Sequence, residues 1–205
     1  MHHRPLTALA AAAAAAALLA GCATTQVDAQ WRSVELPPTY LRGSTVIVAC
    51  ESAELVLRRV CEDQVAGDLR SRGIRVVVAA PGGGAVPPTG LPDQQYLPAA
   101  REQGAKAVML VGVGLAAQSV SPPVSLSIGG FGFGRHSAGG VGVTAPIGGG
   151  QVSAGYAINA RITDVASGRL MWTARAAAPP SSDVNAQFAE LTGSVLDAAR
   201  DAGLF

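Results

Sequence analysis

Histidine, cysteine, aspartate and clustered glycine are the residues of this chain whose types could do chemistry, and each is placed where it does little. Histidine, the usual general base, occurs at His2, His3 and His136. The first two belong to an N-terminal leader, and His136 lies inside GRHSAGG with no carboxylate near it in sequence. Zinc sites want clustered Cys and His at regular spacing, and Cys50, Cys61 and His136 offer none. Asp164 in DVASG lacks the repeated oxygen ligands of a calcium loop and reads as a turn residue. Gly140-x-Gly142-x-x-Ala145 fits the loose dinucleotide pattern, yet Pro146 and three following glycines forbid the helix that the pattern must open. The expectation is a protein that is not an enzyme, with no catalytic residue, no cofactor and no metal. Paired carboxylates that meet only in space leave an envelope hydrolase as a third reading.

The third cysteine, Cys22, ends the leader. Arg4 follows His2 and His3, an apolar core rich in Ala and Leu runs from Leu6 through Ala20, and small residues close it. That is the tripartite pattern of a secretory signal peptide over 1–21. It is too short for a comfortable span of the hydrocarbon core, which needs roughly 20 apolar helical residues. Leu19-Ala20-Gly21-Cys22 resembles the lipobox of bacterial lipoproteins at all four positions. The resemblance implies cleavage before Cys22, with lipid on its sulfur and on the new amino terminus, so that a multiply acylated residue stays in the bilayer. Ala23, rather than the aspartate that favours the inner membrane in that family, points to the outer membrane facing the periplasm.

Export sets the redox compartment for Cys50 and Cys61. An even pair in an oxidising space is expected to form a disulfide, with two buried thiols as the alternative. Glu51, Glu62 and Asp63 beside them would raise a thiol pKa, against a reactive thiolate. Cleavage leaves 184 residues, enough for one domain. Losing Arg4 balances the charge at 14 basic against 14 acidic residues, so no basic face is expected and no nucleic-acid partner. Aromatics are only 4% of residues, which makes the core one of Val, Leu, Ile and Ala.

The elements that must position these residues follow from periodicity. Residues 22–43, with Pro37-Pro38 and no sustained period, read as a tether from which Trp31 and Tyr40 pack back onto a domain over 44–205. TVIVAC (45–50) reads as a buried strand. Leu57, Cys61, Val65 and Leu69 recur every fourth residue, a helical face that Gly73 should cap. IRVVVAA (74–80) is a strand, the Pro- and Gly-rich 81–95 a loop, Pro98 the start of a short helix to Gln103, and AVMLVGVGL (107–115) a central strand. Tyr156 to Thr163 alternates, DVASGR turns, and LMWTARA returns as a hairpin. A last helix capped by Ser182 or Asp183 carries Phe188, Leu191, Val195, Leu196 and Ala199 on one face. The order is β-α-β-α-β, a glycine-rich β-arm over 121–153, a β-hairpin and α. It makes an α/β (α+β) fold with helices packed on a mixed β-sheet.

TVIVAC, DLRSRG before IRVVV, REQGAKAVMLVGVG, INARITDVASGRLMWTA and the terminal helix together resemble the lipoprotein domains related to the amino-terminal domain of TolB, LpoB and CsgG. The resemblance covers about Thr45 to Phe205 and implies an adaptor, assembly or regulatory protein at the envelope that works by protein binding or self-association. It transfers no active-site residue. Trp172 would match a tryptophan at the start of the hairpin's return strand, read as a core aromatic ahead of a partner anchor. In the arm, Val124, Leu126 and Ile128 alternate, as do Val141, Val143, Ala145 and Ile147, and a bulge at Gly129-Gly130 would shift the phase. Arms of this length could form membrane strands, which makes a subunit of an oligomeric CsgG-like export channel the alternative function.

Overall fold

The computed structural model describes residues 24–80, 91–120, 124–128, 143–147 and 152–205. The leader 1–21, Cys22 and His136 lie outside the described residues. The fold is the expected mixed α/β one, a six-stranded sheet with three helices packed against it.

β1 (Gln26–Arg32), β2 (Thr45–Glu51), α1 (Leu55–Ser71), β3 (Arg75–Val78), a 3-10 turn (Pro92–Tyr96), α2 (Leu97–Glu102) and β4 (Ala107–Val120) follow one another in the first half. β7 (Val152–Asp164), β8 (Leu170–Ala177) and α3 (Val184–Asp201) complete the domain, and a separate antiparallel pair, β5 (Val124–Ile128) and β6 (Val143–Ile147), lies between β4 and β7 in sequence. The sheet order is β1-β8-β7-β4-β2-β3. β2 lies parallel between β3 and β4, and the remaining pairs are antiparallel.

Each element follows from its residues. Val46 to Cys50 are all buried because β2 is central and covered on both faces. In β7 and β8 only one face is apolar, so Ile158, Ala160 and Ile162 join Trp172, Ala174 and Ala176 beneath the helices. Leu57, Cys61, Val65 and Leu69 of α1 and the apolar face of α3 complete that core. Gly73 at φ +79° ends α1 in a left-handed turn, its N–H bonding Arg70 O while the Ile74 N–H bonds Leu69 O. Asp183 caps α3 by accepting from the Ala186 N–H at 3.0 Å. The two helices are stitched by Thr192 donating to Asp68 and by Arg72 donating to Asp197, at 3.1 and 3.0 Å.

Among the described residues, the other sheet face is covered over only half its width. The 3-10 turn and α2 bury Ile47, Ala49, Val108 and Leu110 against Tyr96, Leu97 and Ala100. Asp93, fully buried, holds the turn down by accepting from the Thr163 hydroxyl and facing the Arg161 guanidinium at 3.2 Å. Beyond Arg161, over β7, β8 and β1, Asn159, Thr173 and Arg175 look outward together with half-exposed Trp31.

The tether over 22–43 is corrected. β1 pairs antiparallel along β8 from Gln26↔Ala177 to Arg32↔Trp172, and Leu36, Tyr40 and Leu41 are core residues, so the domain takes in the chain from about residue 26. An edge strand needs few apolar side chains, and a register shift between Val27 and Ala29 breaks its alternation. Tyr40 packs into the domain as expected, its hydroxyl donating to Asp164 Oδ1 and its ring beneath Lys106 Nζ at 4.5 Å. Burial, reinforced by the Asp164 carboxylate, pushes that hydroxyl far above the usual tyrosine range. Burial works to raise Asp164 itself, but hydrogen bonds from Tyr40 and Ser167 outweigh it and hold the carboxyl below its ordinary value.

Candidate functional site

The strand registers gather the start of β1, the ends of β2, β3, β4 and β8, the start of β7 and the N-termini of α1 and α3 at one end of the domain. In sheets with parallel strands the crevice outside the carboxyl ends is where ligands bind. Here a cleft of about 390 Å³ opens between Glu51, Ser52, Arg58, Glu62, Ala79, Tyr96 and their neighbours.

The last residue of β2 delivers Glu51, and the first two turns of α1 deliver Arg58 and Glu62 one turn apart on the same helix side. Glu51 accepts from Gln95 Nε2 at 2.8 Å, and Glu62, only 4% exposed, is met by Arg59 at 2.8 Å. Arg58 brings a buried Nε with no hydrogen-bond partner among the described residues. Burial first, then the Glu51 charge, raises the Tyr96 hydroxyl above its ordinary value, so it stays protonated at neutral pH. The cleft therefore offers fixed polar contacts. Sequence reasoning named Glu51 and Glu62 only as acidic neighbours of the cysteines and did not single out Arg58 or Tyr96. Only the i, i+4 spacing of Arg58 and Glu62, directly after a strand ending in Glu51, carried a signal.

Cys50 lines the same cleft and is joined to Cys61, with 6.1 Å between the Cα atoms. The bond ties the end of β2 to the second turn of α1, and both residues are buried. Replacing both by Ala is expected to lower stability by about 2–3 kcal/mol, as for other short-loop crosslinks. Denaturant midpoints would read that loss. Two titratable thiols in the untreated protein would show that the bond is not formed.

The second feature of this end is a ribbon. β2 accompanies β4 only as far as Gly112, while β4 and β7 stay paired out to Val120↔Val152. The β7 side of the ribbon is blocked: Ser181 N–H bonds Ala154 O, and Gln187 reaches both Ala154 O and Tyr156 N. Gly155 permits this close approach, since a Cβ there would stand 2.8 Å from Ala178 O. The β4 side, from Val113 to Ser119, is paired by no strand among the described residues, and Gly114 to Ser119 are exposed.

The chemistry-bearing residues named from sequence fall in different places. Asp164 is a turn residue, accepting from the Ser167 N–H and hydroxyl. Trp172 is a fully buried core aromatic. Among the described residues no group of three His, Cys, Asp or Glu is placed to hold a metal ion, and no helix is long and apolar enough to cross a membrane. β5 and β6 pair as the alternation predicts, over five residues each, and the Gly129-Gly130 bulge lies outside the described residues.

No protein-family model matches the chain, and no curated protein is similar to it. Among solved structures, the PelC dodecamer of Paraburkholderia phytofirmans is similar at 18% identity, over 84% of this chain and 95% of that one, with a TM-score of 0.51. Lipoprotein GNA1162 of Neisseria meningitidis aligns at 16% identity over 77% of this chain and 96% of that one, with a TM-score of 0.41. The likeness to PelC is one of fold.

Proposed function

We propose that this chain is a lipid-anchored protein of the cell envelope that works by binding rather than catalysis, and that its first partner is another copy of itself. The observation that carries the reading is the half of the sheet that no other described residue covers. Sheets bury both faces against other layers or present one to water or a partner, and here β7, β8 and β1 display Asn159, Thr173, Arg175 and a 50% exposed Trp31 around a groove of about 260 Å³. A tryptophan among polar neighbours is the composition of a binding hot spot with its rim.

Three further points support it. Leu19 to Cys22 resembles a lipobox, which anchors the chain to the outer membrane facing the periplasm. The protein of similar fold is described as a dodecamer. The residues that resemble the TolB, LpoB and CsgG domains imply adaptors, regulators or pore subunits. A CsgG-like channel is the alternative, and it rests on the alternation of the arms within 121–153.

The test is the native mass of the lipoprotein extracted gently in detergent. A closed assembly of many copies is expected, and Trp31→Ala should shift it toward monomer while leaving the far-UV circular dichroism of the folded protein unchanged. A wild-type monomer at working concentration would overturn self-association and leave a different envelope protein as the partner.

A further inference from the structure

The place of the lipid anchor relative to the ribbon carries a second inference. Gln26 pairs with Ala177, Ala177 with Ala157, and Ala157 with Gly114, so these residues lie side by side at one level of the sheet. Toward the same end, two chains leave that level. One is the chain before Gln26, whose Thr25 is held by its hydroxyl donating to Glu190 at 2.9 Å and from which Cys22 is three residues away in sequence. Four residues at full stretch reach at most about 14 Å. The other is the ribbon, which continues from Gly114 to Val120, six steps of β-strand or roughly 20 Å. An acylated Cys22 would thus hold this end of the domain closer to the bilayer than the ribbon is long. Sheet twist, roughly 20–25° per strand across the three steps from β1 to β4, brings the ribbon in at a slant.

The ribbon's composition suits that position. Ala107 to Gly134 and Ser137 to Ala160 contain no Asp, Glu, Lys or Arg, in a chain that is 14% charged. The exposed β4 side presents Leu115, 55% exposed, with Ala116, Ala117, Gln118 and Ser119. Small and apolar groups enter an interface without the cost of desolvating a charge. The N–H and C=O groups of that edge, unpaired among the described residues, set the depth, because an open edge is not tolerated in hydrocarbon but is satisfied by water among headgroups.

We propose that the β4–β7 ribbon, along Leu115–Ser119, lies in the headgroup layer of the bilayer that holds the lipidated Cys22. The inference rests on the lipid anchor proposed above and is independent of self-association.

The experiment uses the full lipidated chain in vesicles of phosphatidylethanolamine and phosphatidylglycerol. An environment-sensitive fluorophore is attached at Gln118→Cys, with Ser119→Cys as a second site and Arg70→Cys, near the C-terminus of α1 at the opposite end, as the reference. Headgroup-spin-labelled lipid is expected to quench the Gln118 and Ser119 labels several-fold more than the Arg70 label. A ten-residue Gly-Ser insertion after Ala23 should reduce that quenching toward the reference. Vesicles that carry the protein but leave the ribbon labels as unquenched as Arg70 overturn the inference while sparing the anchor. A protein that fails to float with vesicles overturns both. Labels shielded from lipid quencher and from aqueous iodide alike place a second copy against the edge instead, and also overturn it.

Discussion

A Cys22→Ser variant should leave the membrane fraction completely. With the lipid on Cys22 as the proposed anchor, the longest apolar run read from the sequence beyond the leader, around Ala107 to Leu115, is strand-sized and forms the central strand β4, and no helix among the described residues is long and apolar enough to cross a membrane. Ribbon contact with headgroups adds small apolar area only, and even a single acyl chain binds a bilayer only marginally and reversibly. Fractionation of cells expressing the variant, followed by a carbonate wash of the membranes, reads the outcome. Retention of Cys22→Ser protein in the washed membranes would refute lipid anchoring and move attention to the glycine-rich stretch between β4 and β7.

The largest effect on stability is expected at Trp172. Its side chain is fully buried among Ile162, Phe188, Leu191 and their neighbours, and it is the largest buried side chain of the core. Emptying that volume in Trp172→Ala should cost about 3–5 kcal/mol, a large share of the roughly 5–15 kcal/mol that holds a domain together. Trp172→Phe should cost clearly less. The indole Nε1 is buried without a hydrogen-bond partner among the described residues, and removing an unmet donor recovers part of what the smaller ring loses. Guanidinium denaturation of the detergent-extracted protein, followed by far-UV circular dichroism, separates the two variants. Equal midpoints for Trp172→Ala and wild type would show that this side chain does not organise the core.

Most of the fold was legible because its apolar residues carry the period of their element. The four-residue recurrence from Leu57 to Leu69, the continuous β2 run and the alternation of Ile158, Ala160 and Ile162 each report a buried face. β1 was illegible for the opposite reason. An edge strand with Val27 and Trp31 as its only large apolar side chains, split by a register shift, carries little burial to leave a pattern, and Pro37-Pro38 drew the reading toward a tether. The cleft was hidden too. Glu51, Arg58, Glu62 and Tyr96 come together only once β2, α1 and the 3-10 turn have packed. Spacing in the chain shows one helix turn of that set and nothing of Tyr96.

The antiparallel register of β1 against β8 also fixes an order in time. Asp28 and Arg175, whose side chains meet at 2.5 Å across this pair, are 147 positions apart in sequence. β2, α1, β3 and β4 close over short separations, whereas β1 has no strand to pair with until almost the whole chain has emerged. Loop-closure entropy makes such distant pairings the slow ones. The β1 segment is therefore among the late parts of the domain to close, together with Thr39 and Leu41, whose N–H groups bond Gly203 O and Leu204 O near the end of the chain, and until then both the β1 segment and the edge awaiting it stand open to capture by chaperones or by a neighbouring chain.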